Sequence, residues 1–135
     1  PSAMVEADWD FASWNCKYEN GIIQLGGVSG SGECTATSKM AFYIPENIGI
    51  KIDTNVTIRA SHIIWWQNTT FTVNVNGTTI ISQYSDNQDN NNSGKNYTLS
   101  GTGSFSSGAC EVKLNSDYSA TGPWSKVYTL HILYN

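Results

Sequence analysis

Apolar and polar residues alternate one by one along most of this chain. Trp14, Cys16 and Tyr18 alternate with Asn15 and Lys17; Ile48, Ile50 and Ile52 with Gly49 and Lys51; Val56, Ile58 and Ala60 with Thr57 and Arg59. Phe71, Val73 and Val75 alternate with Thr72 and Asn74, and Tyr128, Leu130, Ile132 and Tyr134 with Thr129, His131 and Leu133. A period of two is the mark of a strand with one buried face. Asn20-Gly21 and Asn76-Gly77 are tight-turn dipeptides between such runs and predict two hairpins. Glu33 to Met40 reads as a polar strand, Ala41 to Ile44 as a short one ended by Pro45, and Cys110, Val112 and Leu114 as another. Between them lie the Gly/Ser loop Gly26 to Gly32, the polar loop Ser82 to Lys95, a Gly/Ser-rich stretch from Ser100 to Gly108 and a loop from Asn115 to Pro123. Roughly eight to ten short strands at spacings near ten residues predict an all-β fold, an antiparallel sandwich of two packed sheets.

Composition narrows this further. The chain has 135 residues, enough for one domain with a true core. Asn, Ser and Thr supply 43 of them and charged residues only 13%, which excludes helical bundles and coiled coils. Aromatic residues, at 12%, exclude a disordered segment. The net charge is −4, with a single arginine and six scattered lysines. Nucleic-acid binding needs a basic stripe, so it is not expected, nor is docking on an anionic membrane. No apolar run approaches a transmembrane length. A neutral partner fits better than a phosphorylated one. Pro1 to Met4 reads as a cloning scar, leaving residues 5–135 as a single domain. Cys16, Cys34 and Cys110 form no zinc pattern. Cys110 falls in phase with buried positions; one disulfide with one free thiol stays open.

The opening aromatics Trp9, Phe11 and Trp14, the run Asn20 to Leu25, the Gly-rich turn and Thr35-Ala36-Thr37-Ser38 resemble the start of a galactose-binding-like jelly roll. The run Val56 to Trp66, the Asn76-Gly77 hairpin and the closing strand Lys126 to Tyr134 keep the same order. The resemblance covers most of the chain. It implies a jelly-roll carbohydrate-binding module of the kind found on glycosidases, bacterial surface proteins and phage tail or baseplate proteins. Such a module is non-catalytic and tethers a larger polypeptide to a cell-surface or cell-wall polysaccharide or oligosaccharide, outside the cell or on a virion. The alternative is a spacer or decoration sandwich that contacts protein only.

If Val56, Ile58 and Ala60 face the core, then Arg59, Ser61 and Trp65 line the opposite face. An indole can stack on a sugar's C–H face while Arg59 and Ser61 hydrogen-bond its hydroxyls. The competing reading is that Trp65 is covered, and a bulge near His62 would exchange it with Trp66. A second candidate gathers Tyr84 and Asp86 from one long loop with Asp117 and Trp124 from another. No cofactor is expected. The resemblance leaves room for a structural calcium, and the oxygen-rich segment Asp86 to Asn92 would suit it, although it lacks an EF-hand spacing. His62 and His131 have no zinc-like spacing. Asp53 and Glu111 alternate outward in strands, where a catalytic carboxylate pair is conceivable but a solvated face is the ordinary reading, and no nucleophile elbow, zinc-protease motif or phosphate loop is present.

Overall fold

The computed structural model of the chain describes residues 8–11, 15–27, 34–38, 42–46, 48–60, 68–86, 93–118 and 123–134. Among these residues twelve strands follow one another: β1 (Trp9–Phe11), β2 (Cys16–Glu19), β3 (Ile22–Gly26), β4 (Cys34–Ser38), β5 (Phe42–Ile44), β6 (Gly49–Arg59), β7 (Asn68–Val75), β8 (Thr78–Asp86), β9 (Lys95–Ser104), β10 (Gly108–Cys110), β11 (Val112–Tyr118) and β12 (Trp124–Tyr134). They form two five-stranded antiparallel sheets. The front sheet runs β2-β3-β12-β6-β9, the back sheet β1-β4-β11-β7-β8, and β10 and β5 make a separate ribbon. This is the predicted jelly-roll sandwich.

Alternation places the core. Ile23, Leu25, Ile50, Ile52, Val56, Ile58, Val127, Leu130 and Ile132 point inward from the front sheet; Phe71, Val73, Val75, Val112 and Leu114 meet them from the back. Each fully buried aliphatic chain contributes about 1.5–3 kcal/mol, so packing alone can hold two sheets together. Both Asn-Gly turns form as predicted. Asn20 and Asn76 take φ of 52° and 49°, followed by Gly21 and Gly77 at 79° and 88°, the double left-handed conformation of a two-residue hairpin.

Several boundaries differ from the sequence reading. Gly49–Arg59 is one continuous strand, β6. Ser82 to Asp86 belongs to β8 rather than to a loop, and Asn115 to Tyr118 to β11. Trp124 opens β12 instead of closing a loop. The Gly/Ser-rich stretch begins as strand, since β9 runs to Ser104. In β8, β11 and β12 the inward positions at one end of the sandwich are small and polar. Thr69, Ser85, Ser116 and Ser125 are all buried there, so the apolar half of the alternation disappears from view. Ser116 and Ser125 hydroxyls meet across the core at 2.9 Å, and Ser85 meets the Tyr97 hydroxyl at 2.9 Å.

The last strand also departs from strict alternation. Its register against β6 shifts between Val127 and Thr129, so Tyr128 is an extra, bulged residue. Tyr128 is therefore exposed and Val127 buried, the reverse of an unbroken period of two. A disulfide joins Cys16 to Cys34, and Cys110 is a buried free thiol.

Candidate binding face

The outer face of the front sheet follows from the same parity. Val56 and Ile58 point inward on β6, so Asn55, Thr57 and Arg59 point out. Ser125 and Val127 point inward on β12, so Trp124 and Lys126 point out. Pairing registers then align Lys17, Gln24, Lys126, Thr57 and Asn96 in one row across all five strands. The Thr57 hydroxyl donates to Asn96 Oδ1, and Gln24 Nε2 donates to the Gly26 carbonyl at 2.8 Å. The neighbouring row on one side is Gly26, Trp124 and Arg59. On the other side Glu19 pairs with Ile22 and Asn55 with Thr98.

Two depressions flank the Lys126–Thr57 pair. One, of about 280 Å³, is bounded by Lys17, Glu19, Asn20, Ile22, Gln24 and Lys126. The other, of about 500 Å³, lies among Asn55, Thr57, Asn96, Thr98 and the bulged Tyr128, and also touches Val56 and Tyr97. Tyr128 is 39% exposed and gives this face a bare aromatic ring beside amides and hydroxyls.

Trp124 is only 8% exposed although it stands on the outer face and outside the core cluster. Two cations lie over it: the Arg59 guanidinium carbon is 5.1 Å and the Lys126 ammonium 4.5 Å from the ring centroid. Such contacts are worth about 0.5–1 kcal/mol when exposed and more when dry. Gly27 makes the close packing feasible. A Cβ there would stand 2.6 Å from Trp124 Cδ1, and its φ of 73° suits glycine. Partial burial lowers the Arg59 pKa, but a guanidinium stays charged at any physiological pH. Further along the face, the Ser100 hydroxyl donates to Asp53 at 2.6 Å. That bond, with Lys51 beside it, holds the Asp53 carboxyl below its ordinary pKa.

The structure brings Arg59 and Trp124 together. Trp65 and Ser61 lie outside the described residues. Tyr84 and Asp117 do converge, but on strands: both pair with Thr70, while Asp86 pairs with Asn68 next to them. They occupy the outer face of the back sheet, with Tyr84 53% exposed. The core separates them from Trp124, so the four do not form one pocket. The residues that sequence reasoning missed are Lys126, Gln24 and Tyr128. Lys126 lies two residues along the same strand from Trp124, a placement that needs Trp124 to be read as strand, whereas only cross-strand register, which needs the fold, brings Gln24 there.

Asp53 belongs to the front sheet, whereas Glu111 joins the ribbon to the back sheet, so the two carboxylates do not face each other. Among the described residues no three or more His, Cys, Asp or Glu side chains cluster as metal ligands. Of the calcium segment only Asp86 is described, and His62 lies outside too. No helix among the described residues is long and apolar enough to cross a membrane.

No protein-family model matches the chain, and no curated protein matches it. Solved structures do. The chain is similar to the CBM22-1 xylan-binding domain from Paenibacillus barcinonensis Xyn10C, with a TM-score of 0.55 and 13% identity, over 98% of this chain and 88% of that one. It is similar to the EclA C-terminal domain, a sugar-binding protein, with a TM-score of 0.51 and 13% identity, over 83% and 76% of the two chains. At such identities the likeness establishes the fold: a jelly-roll β-sandwich of the architecture that carbohydrate-binding modules use.

Proposed function

We propose that this chain is a non-catalytic carbohydrate-binding module that tethers a larger polypeptide to a cell-surface or cell-wall glycan. The setting we propose is extracellular, or the tail or baseplate of a virion where it would serve host adhesion. The observation that carries this reading is the front face. A bulge turns Tyr128 outward beside Asn55, Thr57, Asn96 and Thr98. An apolar ring flanked by fixed donors and acceptors is what a sugar needs, one face for its C–H groups and an edge for its hydroxyls. Arg59, held on Trp124, extends the donors along the same sheet. Trp65 and Ser61 keep the ligand-binding role proposed from the sequence and enter the same assay.

The test is a glycan array followed by calorimetry on the wild type and Tyr128→Ala. Losing one exposed ring should weaken binding about tenfold, equivalent to about 1.4 kcal/mol. The melting temperature should move by less than about 2 °C, because a surface substitution rarely exceeds about 0.5 kcal/mol. Unchanged affinity would remove this face from the reading.

A spacer or decoration domain that contacts protein only is favoured by a different observation. Tyr43 and Tyr134 are both exposed, and the Tyr134 hydroxyl donates to the Tyr43 carbonyl at 2.6 Å. Silence across the whole glycan panel would support that reading instead.

A further inference from the structure

We infer that the glycan taken by the front face carries an oxyanion, a uronic carboxylate or a sulfate ester, and that Lys126 receives it. The inference rests on the sugar-binding reading and names its substrate class.

The chain as a whole is acidic, yet among the described residues the charges on the outer faces of the two sheets are sorted by sign. The described outer positions of the front sheet hold four cations, Lys17, Lys51, Arg59 and Lys126, against two carboxylates, Glu19 and Asp53. Glu19 shares the rim of the depression with Lys126 but is paired with Lys17 at 3.3 Å, and Lys51 lies 3.6 Å from Asp53. The back sheet shows the opposite balance, with Asp10, Asp86 and Asp117 against Lys113. A protein of net charge −4 that turns the positive balance to its front sheet presents that face, and not the back sheet, to anions.

Lys126 is the central charge of this arrangement. It stands in the middle strand, in register with Gln24 on one side and Thr57 on the other. The indole of Trp124 holds it and Arg59 at 4.5 and 5.1 Å, so two like charges share one ring. Charge-assisted hydrogen bonds are roughly twice as strong as neutral ones, so an anion at Lys126 is held more firmly than a hydroxyl. The depression beside Lys126 measures about 280 Å³, just under the roughly 300 Å³ at which drug-sized ligand pockets begin. It suits a single sugar ring, with Gln24 and Asn20 amides for its hydroxyls and Lys126 for its acid group. Tyr128, across the Lys126–Thr57 pair, is then placed for the next ring of the chain.

The experiment uses the intact chain and two matched polymer pairs: polygalacturonate with its carboxyl-reduced form, and fucoidan with its desulfated form. Affinity is measured by calorimetry at about 20 mM and about 0.5 M salt, a range over which screening of exposed charges becomes nearly complete. One charged polymer should bind about tenfold or more tighter than its neutral partner, and high salt should remove most of that difference. Which pair responds identifies a carboxylate or a sulfate. Lys126→Gln should erase the preference, whereas Lys113→Gln, on the back sheet beside Glu111, should change it less than about twofold. Equal loss in both variants would mean unspecific charge attraction and would overturn the inference. Neutral glycans bound as well as charged ones would also overturn it while leaving the sugar-binding reading intact. Silence of all four polymers together with the neutral glycan array would overturn both.

Discussion

Trp124 shows how one residue can be buried without belonging to the core. Its neighbours in β12, Ser125 and Val127, face inward, so the indole must face outward, where Arg59, Lys126 and the bare backbone of Gly27 cover it. The distinction has an energetic consequence. Removing Phe71, which is sealed on every side, leaves a cavity and should cost about 3–5 kcal/mol. Removing the Trp124 ring opens a site that water and the neighbouring cationic side chains can refill. Only the transfer part of the loss remains, about 2 kcal/mol. Denaturant unfolding of Trp124→Ala and Phe71→Ala side by side reads the difference. If both cost the same, Trp124 is a structural plug and its cation cover is incidental. If Trp124→Ala is the milder variant yet binds glycan poorly, the indole acts as a support that aims Lys126 and Arg59.

At the level of elements, β9 is the strand most constrained by a neighbour. Gly101 pairs with the buried Ile52, so its missing side chain would point into the sandwich. A Cβ there would stand 2.2 Å from the Ile80 carbonyl oxygen and 2.6 Å from Ile81 Cγ1 on β8. The edge strands of the two sheets therefore approach at glycine, and backbone cannot yield as a side-chain tip can. Gly101→Ala should destabilise by about 2–3 kcal/mol through overpacking. Thr102→Ala, one residue on and exposed, should stay within about 0.5 kcal/mol. Equal stability of the two in urea unfolding would refute the close approach. The same strand explains why part of the fold was hard to read in sequence. Its inward glycines resemble loop composition, as do the buried serines of β8, β11 and β12. Where the inward residues are apolar, as at Ile50 to Ile58 or Phe71 to Val75, the alternation predicted strand and facing correctly, including an outward Arg59. Where local turn chemistry decides, as at Asn20-Gly21, the hairpin was equally legible. The Tyr128 bulge has no such marker, because one extra residue reverses facing without changing composition. The partner of Arg59 was hidden for another reason: Trp124 is 65 positions away and reaches it only through the β6–β12 register.

Across the whole molecule, the Cys16–Cys34 disulfide links β2, the edge of the front sheet, to β4 in the back sheet. The two sheets already share a continuous apolar core, so the bond adds to a fold that packing establishes. Its contribution comes mainly from the unfolded chain. Tying residues 18 positions apart removes loop-closure freedom worth about 3 kcal/mol. Such a bond persists in an oxidising environment, which supports the extracellular setting proposed above. Reduction should leave the protein folded at room temperature but lower its melting temperature by about 10 °C. The Cys16→Ser, Cys34→Ser double variant should match the reduced wild type, because Cys110 takes no part in the link. Thiol titration under denaturing conditions supplies the control: one thiol per chain before reduction and three after it. A melting temperature indifferent to reductant, with the thiol count confirming that the bond had opened, would mean that the core alone fixes the two sheets. The front face should then keep its glycan affinity in reduced and oxidised protein alike, since neither cysteine lies among the residues that line it.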